Sequence, residues 1–451
     1  MKNKLPFSKQ IAFAIGQLGW SINMGLVNSY LVYFYSPPEG EGLTYRIPQI
    51  AILGVFTVIG LITMAGRLMD AVTDPLVASL SDRHKSPKGR RIPFLAKSAI
   101  PLSILTLMLF FNPVDGISAF NIIWLAVILL TFYIVYTLYV TPYMALIPEL
   151  GKTPDERLNI ATQISVTFFI GTALASQAPL IWNAFESLGM EKIFAIRLTI
   201  GILVSMSAIF MLVPVFAIEE KKYCEATPSE IPLLKSLKSA FNDREFLVFA
   251  ISDLSYFLSL TMLQTGLMYY VTVLLELGEA FYSQLFIIMM VGSFAFYPFV
   301  NLMAKKIGKK KVLSLGFIVF VLNFALVFFL GKEIIPLSGR MQGYIIAAIA
   351  AFPLAAFGIL QNAILSDIAE YDAVINHNRK EGIYFGARTF MSKMGQMLSM
   401  LIFTWLLTFG KDTGNDLGIR LTGPVSAFFC FLGLVFFLMY NEKKILSIYK
   451  K

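Results

Sequence analysis

The chain has 451 residues, of which 57% are hydrophobic and only 14% charged, and its formal net charge is +9. An ordinary soluble enzyme carries roughly 25% charged residues, and disordered chains are poor in apolar residues, so both classes are excluded. Most side chains must face lipid or a core within lipid, and at about 20 residues per crossing the length suits about twelve helices.

Apolar stretches run over 10–35, 47–80, 93–112, 119–147, 158–183, 194–217, 246–275, 282–304, 312–331, 343–371, 383–409 and 421–440. Several exceed about 20 residues, which predicts tilted or kinked helices. The first is longer than a signal h-region and lacks a small-x-small cleavage site, so no cleaved leader is expected. Between the second and third stretches lies a basic loop with Asp82, Arg83, Lys85, Lys88, Arg90 and Arg91. The longest polar connection, about 218–245, follows the sixth stretch and carries Lys221, Lys222, Lys235, Lys238 and Arg244. A second basic turn, Lys305, Lys306, Lys309, Lys310 and Lys311, separates the eighth from the ninth. Both basic turns follow the second crossing of a six-helix half, the internal repeat of a transporter that rocks about a midplane site. The expected organisation is an N-terminal bundle over 1–217, a cytoplasmic linker over 218–245 and a C-terminal bundle over 246–451. Lys2, Lys4, Lys9, Lys152, Arg157, Arg379, Lys380, Lys443 and Lys444 fall on the same side as these loops. The positive-inside rule then puts both termini in the cytoplasm. The positive charge is the footprint of loops beside anionic lipid and calls for no nucleic-acid partner.

A charge near the bilayer centre costs at least ~2.5–3.5 kcal/mol, so charges inside a span are functional by default. The second stretch holds Arg67, Asp70 and Asp74, at i, i+3 and i+7 on one helical face, with Thr73 beside them and Pro75 after them. Carboxylates one turn apart stand about 6 Å from each other and repel in a low dielectric. A bound cation, a proton or a nearby Arg or Lys must relieve that repulsion, and Arg67 can answer only one of the two. Pro75 permits a bend beside the cluster. In the eleventh stretch Lys393 lies about 15 Å deep, too deep to snorkel, so it needs a carboxylate, for which the second-stretch pair is the candidate. Arg388, nearer the end of that stretch, is expected to pair with Asp367, Glu370 or Asp372. Lys97 is expected to snorkel, and Asp253 to sit at a solvated helix end rather than at a gate.

Cys224 and Cys430 offer neither a disulfide framework nor a metal spacing. His84 and His377 fall in polar loops, so neither a His-based metal site nor a nucleophile–base pair is expected. The expectation is a non-enzymatic, monomeric carrier of a small molecule in the bilayer, with no cofactor.

The pattern Arg67-x2-Asp70-x3-Asp74-Pro75, followed by Asp82 and Gly89-Arg90-Arg91, resembles the second-helix signature of the glycoside–pentoside–hexuronide:cation symporters, the melibiose-permease-like branch of the major facilitator superfamily. Tyr143 to Pro148 resembles the end of that family's fourth helix, Gln361 to Tyr371 its tenth, and Thr389-x3-Lys393-x-Gly395 its eleventh. The resemblance implies an all-α membrane protein, with twelve transmembrane helices in two six-helix bundles. It implies a cation site of Asp70, Thr73, Asp74 and Thr137 for sodium or a proton, with Arg67 and Lys393 in the charge network that couples it to substrate. The substrate positions it carries over are Trp20, Ser21, Tyr143, Gln361 and Thr389. Ser21 and Val140 stand where the melibiose branch has acids, and Met144 and Gly358 where it has Trp. These replacements argue against a galactoside. The implied function is cation-coupled symport of a small organic solute, a sugar or glycoside, by alternating access in the inner membrane. The alternatives are a lysolipid or other amphipathic solute, or a proton-coupled exporter of the same fold.

Overall fold

The computed structural model describes residues 5–52, 54–151, 153–224, 241–332, 336–376 and 381–450. Lys2, Lys4, Lys152, Lys235, Lys238, His377, Arg379 and Lys380 lie outside the described residues, as does most of the 218–245 connection. Apart from its turns and loops, the described chain is helical except for the two-residue strands β1 (Ala51–Ile52) and β2 (Phe56–Thr57) and an isolated bridge between Asp412 and Asn415. It divides into one unit of Met1–Ile52 with Leu61–Glu230 and a second of Leu53–Gly60 with Ile231–Lys451.

The first unit contains α1 (Phe7–Tyr35), most of α2 (Val58–Arg83), α3 (Ile92–Met108), α4 (Ala119–Leu150), α5 (Pro154–Ser176), α6 (Ala178–Ser187) and α7 (Lys192–Ala217). Two elements depart from the expectation. The second crossing begins at Val58 rather than near 47, because β1, a turn with Gly54 at φ +74° and β2 occupy the interval. The fifth crossing is two helices broken at Gln177. Pro179 stands at the start of α6 and cannot continue the ladder of α5, because it has no N–H and its ring crowds the carbonyl four residues back. Within the unit α1 packs on α5 and α7, and α3 on α4 and α7. Small residues allow the close approach that membrane helices need. The Ser207 hydroxyl donates to the Gly19 carbonyl at 2.7 Å, and the Tyr30 hydroxyl to the Ala175 carbonyl at 3.1 Å.

The second unit contains α8 (Arg244–Tyr269, carried on as a π-turn to Leu274), α9 (Ala280–Ile307), α10 (Lys309–Val327), α11 (Gly339–Asn376), α12 (Glu381–Leu406) and α13 (Leu417–Leu438). Here α8 packs on α12 and α13, α10 on α11 and α13, and α9 on α11. Counting α5 and α6 as one crossing, this repeats the first unit's pairings of first with fifth and sixth, and of third with fourth and sixth. Among the described residues nine helices are long and apolar enough to cross a membrane. The three remaining crossings fall short for visible reasons. α3 has only 17 residues, α2 carries Arg67, Asp70 and Asp74, and α1 lines its buried face with Gln10, Gln17, Ser21 and Asn23.

The repeat extends to the basic turns. In the first unit the carboxylate of Glu220 accepts the backbone N–H groups of Arg90, Arg91 and Ile92 at 2.8, 2.8 and 2.9 Å. It thereby answers the orphan donors at the start of α3. Arg91 bridges Asp82 and Glu149 at 2.8 Å each, and Arg90 reaches Glu149 at 2.9 Å. Gly89 sits at φ +114°, and a Cβ there would collide with the Glu220 side chain. The second unit repeats the device. Glu442 accepts the Lys310 N–H at 3.1 Å beside Gly308, whose φ is +96°. Lys309 pairs with Asp367 at 2.6 Å. Glu219, next to the first of these caps, accepts from Lys9 at 3.1 Å, and that bond holds its carboxyl below the usual carboxylate range.

Candidate cation and substrate sites

On α2, Asp70 and Asp74 lie one turn apart; on α4, Thr137 and Thr141 do the same. The structure sets the two pairs rung to rung. The Thr137 hydroxyl donates to Asp70 at 3.1 Å, and the Thr141 hydroxyl to Asp74 at 2.9 Å. Thr73 lies 3.1 Å from the Thr137 hydroxyl oxygen and also reaches the Met69 carbonyl at 2.8 Å. Asp70 is 1% exposed, and Asp74 is half-buried. Residues 70, 73, 74 and 137, which the resemblance grouped, are therefore together within one unit. Thr141 was missed, although its position one turn beyond Thr137 was the available signal. Arg67 is buried against α4 and α1. Its guanidinium donates to Asn28 and lies 5.2 Å over the Tyr133 ring. Carboxylate and hydroxyl oxygens alone make up this donor set, which is the chemistry that hard cations and protons take.

In the first unit two of the substrate positions are engaged in helix seams. Ser21 is fully buried, donates to the Leu18 carbonyl at 3.0 Å and presses against Gly171, where a Cβ would collide with it. Tyr143 is also fully buried. Its hydroxyl donates to the Phe13 carbonyl at 2.7 Å, and its ring stacks on Phe13 at 4.4 Å. Both side chains are spent on helix seams. Trp20 is 5% exposed, sits edge-on to Tyr136 at 5.6 Å, and its indole N–H has no partner among the described residues. In the second unit Thr389 is exposed and returns its hydroxyl to the Phe385 carbonyl at 2.9 Å. Lys393 is half-buried on α12.

Arg388 and Asp253 need correction. Asp253 is not at a solvated end: its side chain is 0% exposed and pairs with Arg388 at 3.0 Å. The partner of Arg388 is therefore on α8, not at the end of α11, where Lys309 has taken Asp367. Arg388 also donates to Gln361 at 2.8 Å and to Asn362 at 2.6 Å. The Asp253 expectation failed because a buried acid near a helix start reads the same as a solvated one until its partner is seen.

A family model described as MFS/sugar transport protein matches residues 12–439. The chain belongs to that family. As a major facilitator sugar-transport protein it is a multi-pass membrane transporter of sugar-like small molecules, consistent with the resemblance read from its motifs. Among its relatives, a putative 2,3-dihydroxypropane-1-sulfonate exporter of Salmonella typhimurium is 24% identical over 419 residues, covering 90% of this chain and 84% of the relative. A putative sulfoquinovose importer of Escherichia coli is 24% identical over 417 residues, covering 90% and 82%. The isoprimeverose transporter of Lactiplantibacillus pentosus is 19% identical over 419 residues, covering 92% and 82%. The solved nucleoside transporter NupG superposes with a TM-score of 0.68 at 12% identity, over 97% of this chain and all (100%) of that one. At that identity the likeness is one of fold.

Proposed function

We propose that this major facilitator protein is a secondary symporter that couples a small organic substrate, a sugar or glycoside, to sodium or a proton by alternating access. The observation that carries the reading is the pair of threonine-bound carboxylates, Asp70 and Asp74, on one face of α2. Two anionic groups one turn apart in an apolar span repel, and a cation among them lowers the cost of the state that binds substrate. Cation and substrate affinities are then linked reciprocally. Lys393 ties cation occupancy to substrate binding, and Arg67 holds the α2 face in place. The protein works in the inner membrane with both termini cytoplasmic.

Uptake into proteoliposomes, driven by a sodium gradient or by a proton gradient, tests the proposal. Accumulation under either gradient, with none in their absence, is the expected result. Equal uptake with and without both gradients would rule out coupling. A second reading, export by the same fold, is favoured by the exporter name of the Salmonella relative. It differs by the direction in which the gradient moves substrate.

A further inference from the structure

In each unit one arginine ties the sixth crossing to the end of the third, away from the basic turn, and the two units treat it differently. In the second unit Arg420, on α13, donates to the carbonyls just past α10, Phe328 at 3.1 Å and Leu330 at 2.6 Å. Asp416, four residues earlier, accepts from it at 2.8 and 2.6 Å. In the first unit Arg197, on α7, donates through Nε to the Phe110 carbonyl just past α3, at 3.1 Å. The residue four positions before it is Ile193, not an acid. Among the described residues its Nη1 and Nη2 donate to none, and its guanidinium lies 4.5 Å over the ring of Phe111. A second guanidinium shares this corner. Arg46, in the connection between α1 and α2, is 4% exposed, and its buried Nε and Nη1 donate to nothing among the described residues. The Asp115 carboxylate stands 3.9 Å from Nη1, with its side chain fully exposed. Burial and then the charge of Arg197 push Arg46 below the ordinary guanidinium value. That repulsion is stronger than the pull of Asp115 or of the exposed Glu191.

Carboxylates held out in water answer a partly desolvated cation weakly. An oxyanion that meets the free edge of Arg197 gains charge-assisted bonds that neither acid supplies. The surroundings say what carries it. The connection from α3 to α4 bares Phe111, Val114, Ile117 and Phe120, and the first turn of α7 bares Phe194. Apolar and aromatic side chains at the end of a crossing lie where acyl chains meet headgroups. We infer that Arg197, backed by the charge of Arg46, binds the phosphate of a phospholipid whose acyl chains run along these apolar side chains. The lipid phosphate does for Arg197 what Asp416 does for Arg420: it answers the charge on the arginine that ties two crossings together. The site lies wholly within the first unit and apart from Asp70 and Asp74, so it is a lipid site and not a substrate site.

The test titrates the purified, delipidated full chain in detergent with three probes: phosphatidylglycerol, diacylglycerol with the same acyl chains, and inorganic phosphate. Thermal unfolding is the readout. Phosphatidylglycerol should raise the unfolding temperature, and the other two should not. Ile193→Asp gives Arg197 the carboxylate that Arg420 already has, and an acid in the first turn of a helix is favourable in itself. In that variant, and in Arg197→Met, the half-saturating phosphatidylglycerol concentration should rise about tenfold, the loss of one charge-assisted hydrogen bond. The unfolding temperature without lipid checks that each variant is folded. Lys305→Gln combined with Lys306→Gln removes charge from a basic turn instead and should leave that concentration unchanged. Equal stabilisation by diacylglycerol would show that the phosphate is not held, and equal stabilisation by inorganic phosphate would show that no lipid is needed; either overturns the proposal. An unchanged response in Ile193→Asp, or an equal rise in the double lysine variant, would overturn it too.

Discussion

The Arg388–Asp253 pair makes a stability prediction that can be worked from its geometry. The Asp253 side chain is 0% exposed, that of Arg388 is 15% exposed, and their closest contact is 3.0 Å. At an effective dielectric of about 20 an ion pair at ~4 Å is worth about 4 kcal/mol. Truncating one partner of a buried pair costs about 3–5 kcal/mol, because the survivor is left charged in an apolar setting. Arg388→Met should therefore destabilise the protein by about that amount. It also strips the donor from the buried Gln361 oxygen, a further loss of roughly 1 kcal/mol. Arg388→Met combined with Asp253→Leu removes both charges, and apolar replacement of a whole buried pair is often neutral. The double variant should recover most of the loss. Thiol-reactive fluorescence during heating is a natural assay, because the chain has two cysteines, Cys224 and Cys430, and both are buried. A single variant as stable as wild type, or a double variant no better than the single, would refute the claim that an uncompensated Asp253 is what costs.

Three further outcomes are expected. Glu220→Ala uncovers three N–H groups at the start of α3. Loss of a helix cap costs about 0.5–2 kcal/mol, so unfolding should come earlier by that amount, with Glu220→Gln intermediate. Thr141→Val removes the hydroxyl that donates to Asp74 at 2.9 Å. The cation concentration for half-maximal transport should rise about fivefold, the equivalent of one hydrogen bond of ~1 kcal/mol, while Thr141→Ser stays near wild type; an unchanged concentration in the valine variant would remove Thr141 from the site. Lys393→Ala should leave exchange of substrate across proteoliposomes but abolish accumulation against a gradient. Normal accumulation would count against its coupling role.

The parts of this molecule that the sequence disclosed are those that carry an energetic penalty in their own segment. Asp70 and Asp74 stand out because charge inside an apolar stretch is costly, and their shared face follows from helical spacing alone. The basic turns at Lys88 to Arg91 and Lys309 to Lys311 disclosed the repeat for a similar reason, since topology depends on where such residues fall along the chain. What stayed hidden depends on partners far away in sequence. Nothing local to Arg388 names Asp253, which lies 135 residues earlier. The resemblance carries Ser21 and Tyr143 over as substrate positions, and nothing local shows that their hydroxyls serve the backbones of Leu18 and Phe13 in helix seams. Thr141 was overlooked because a threonine in an apolar helix is inexpensive and draws no notice. The break at Gln177 was passed over because apolar composition continues across it, although Pro179 marked it.

The measurement closest to the central claim is cation-dependent thermal stability of the purified chain, taken across sodium concentration and pH, in wild type and in Asp74→Asn. A ligand that binds only the folded state at 100 times its Kd adds about 2.7 kcal/mol. Wild type should therefore unfold at a clearly higher temperature when the cation is saturating. Asp74→Asn should remain folded and lose that response to both sodium and pH. A variant that responds as wild type does would contradict the assignment of Asp70 and Asp74 as the seat of coupling.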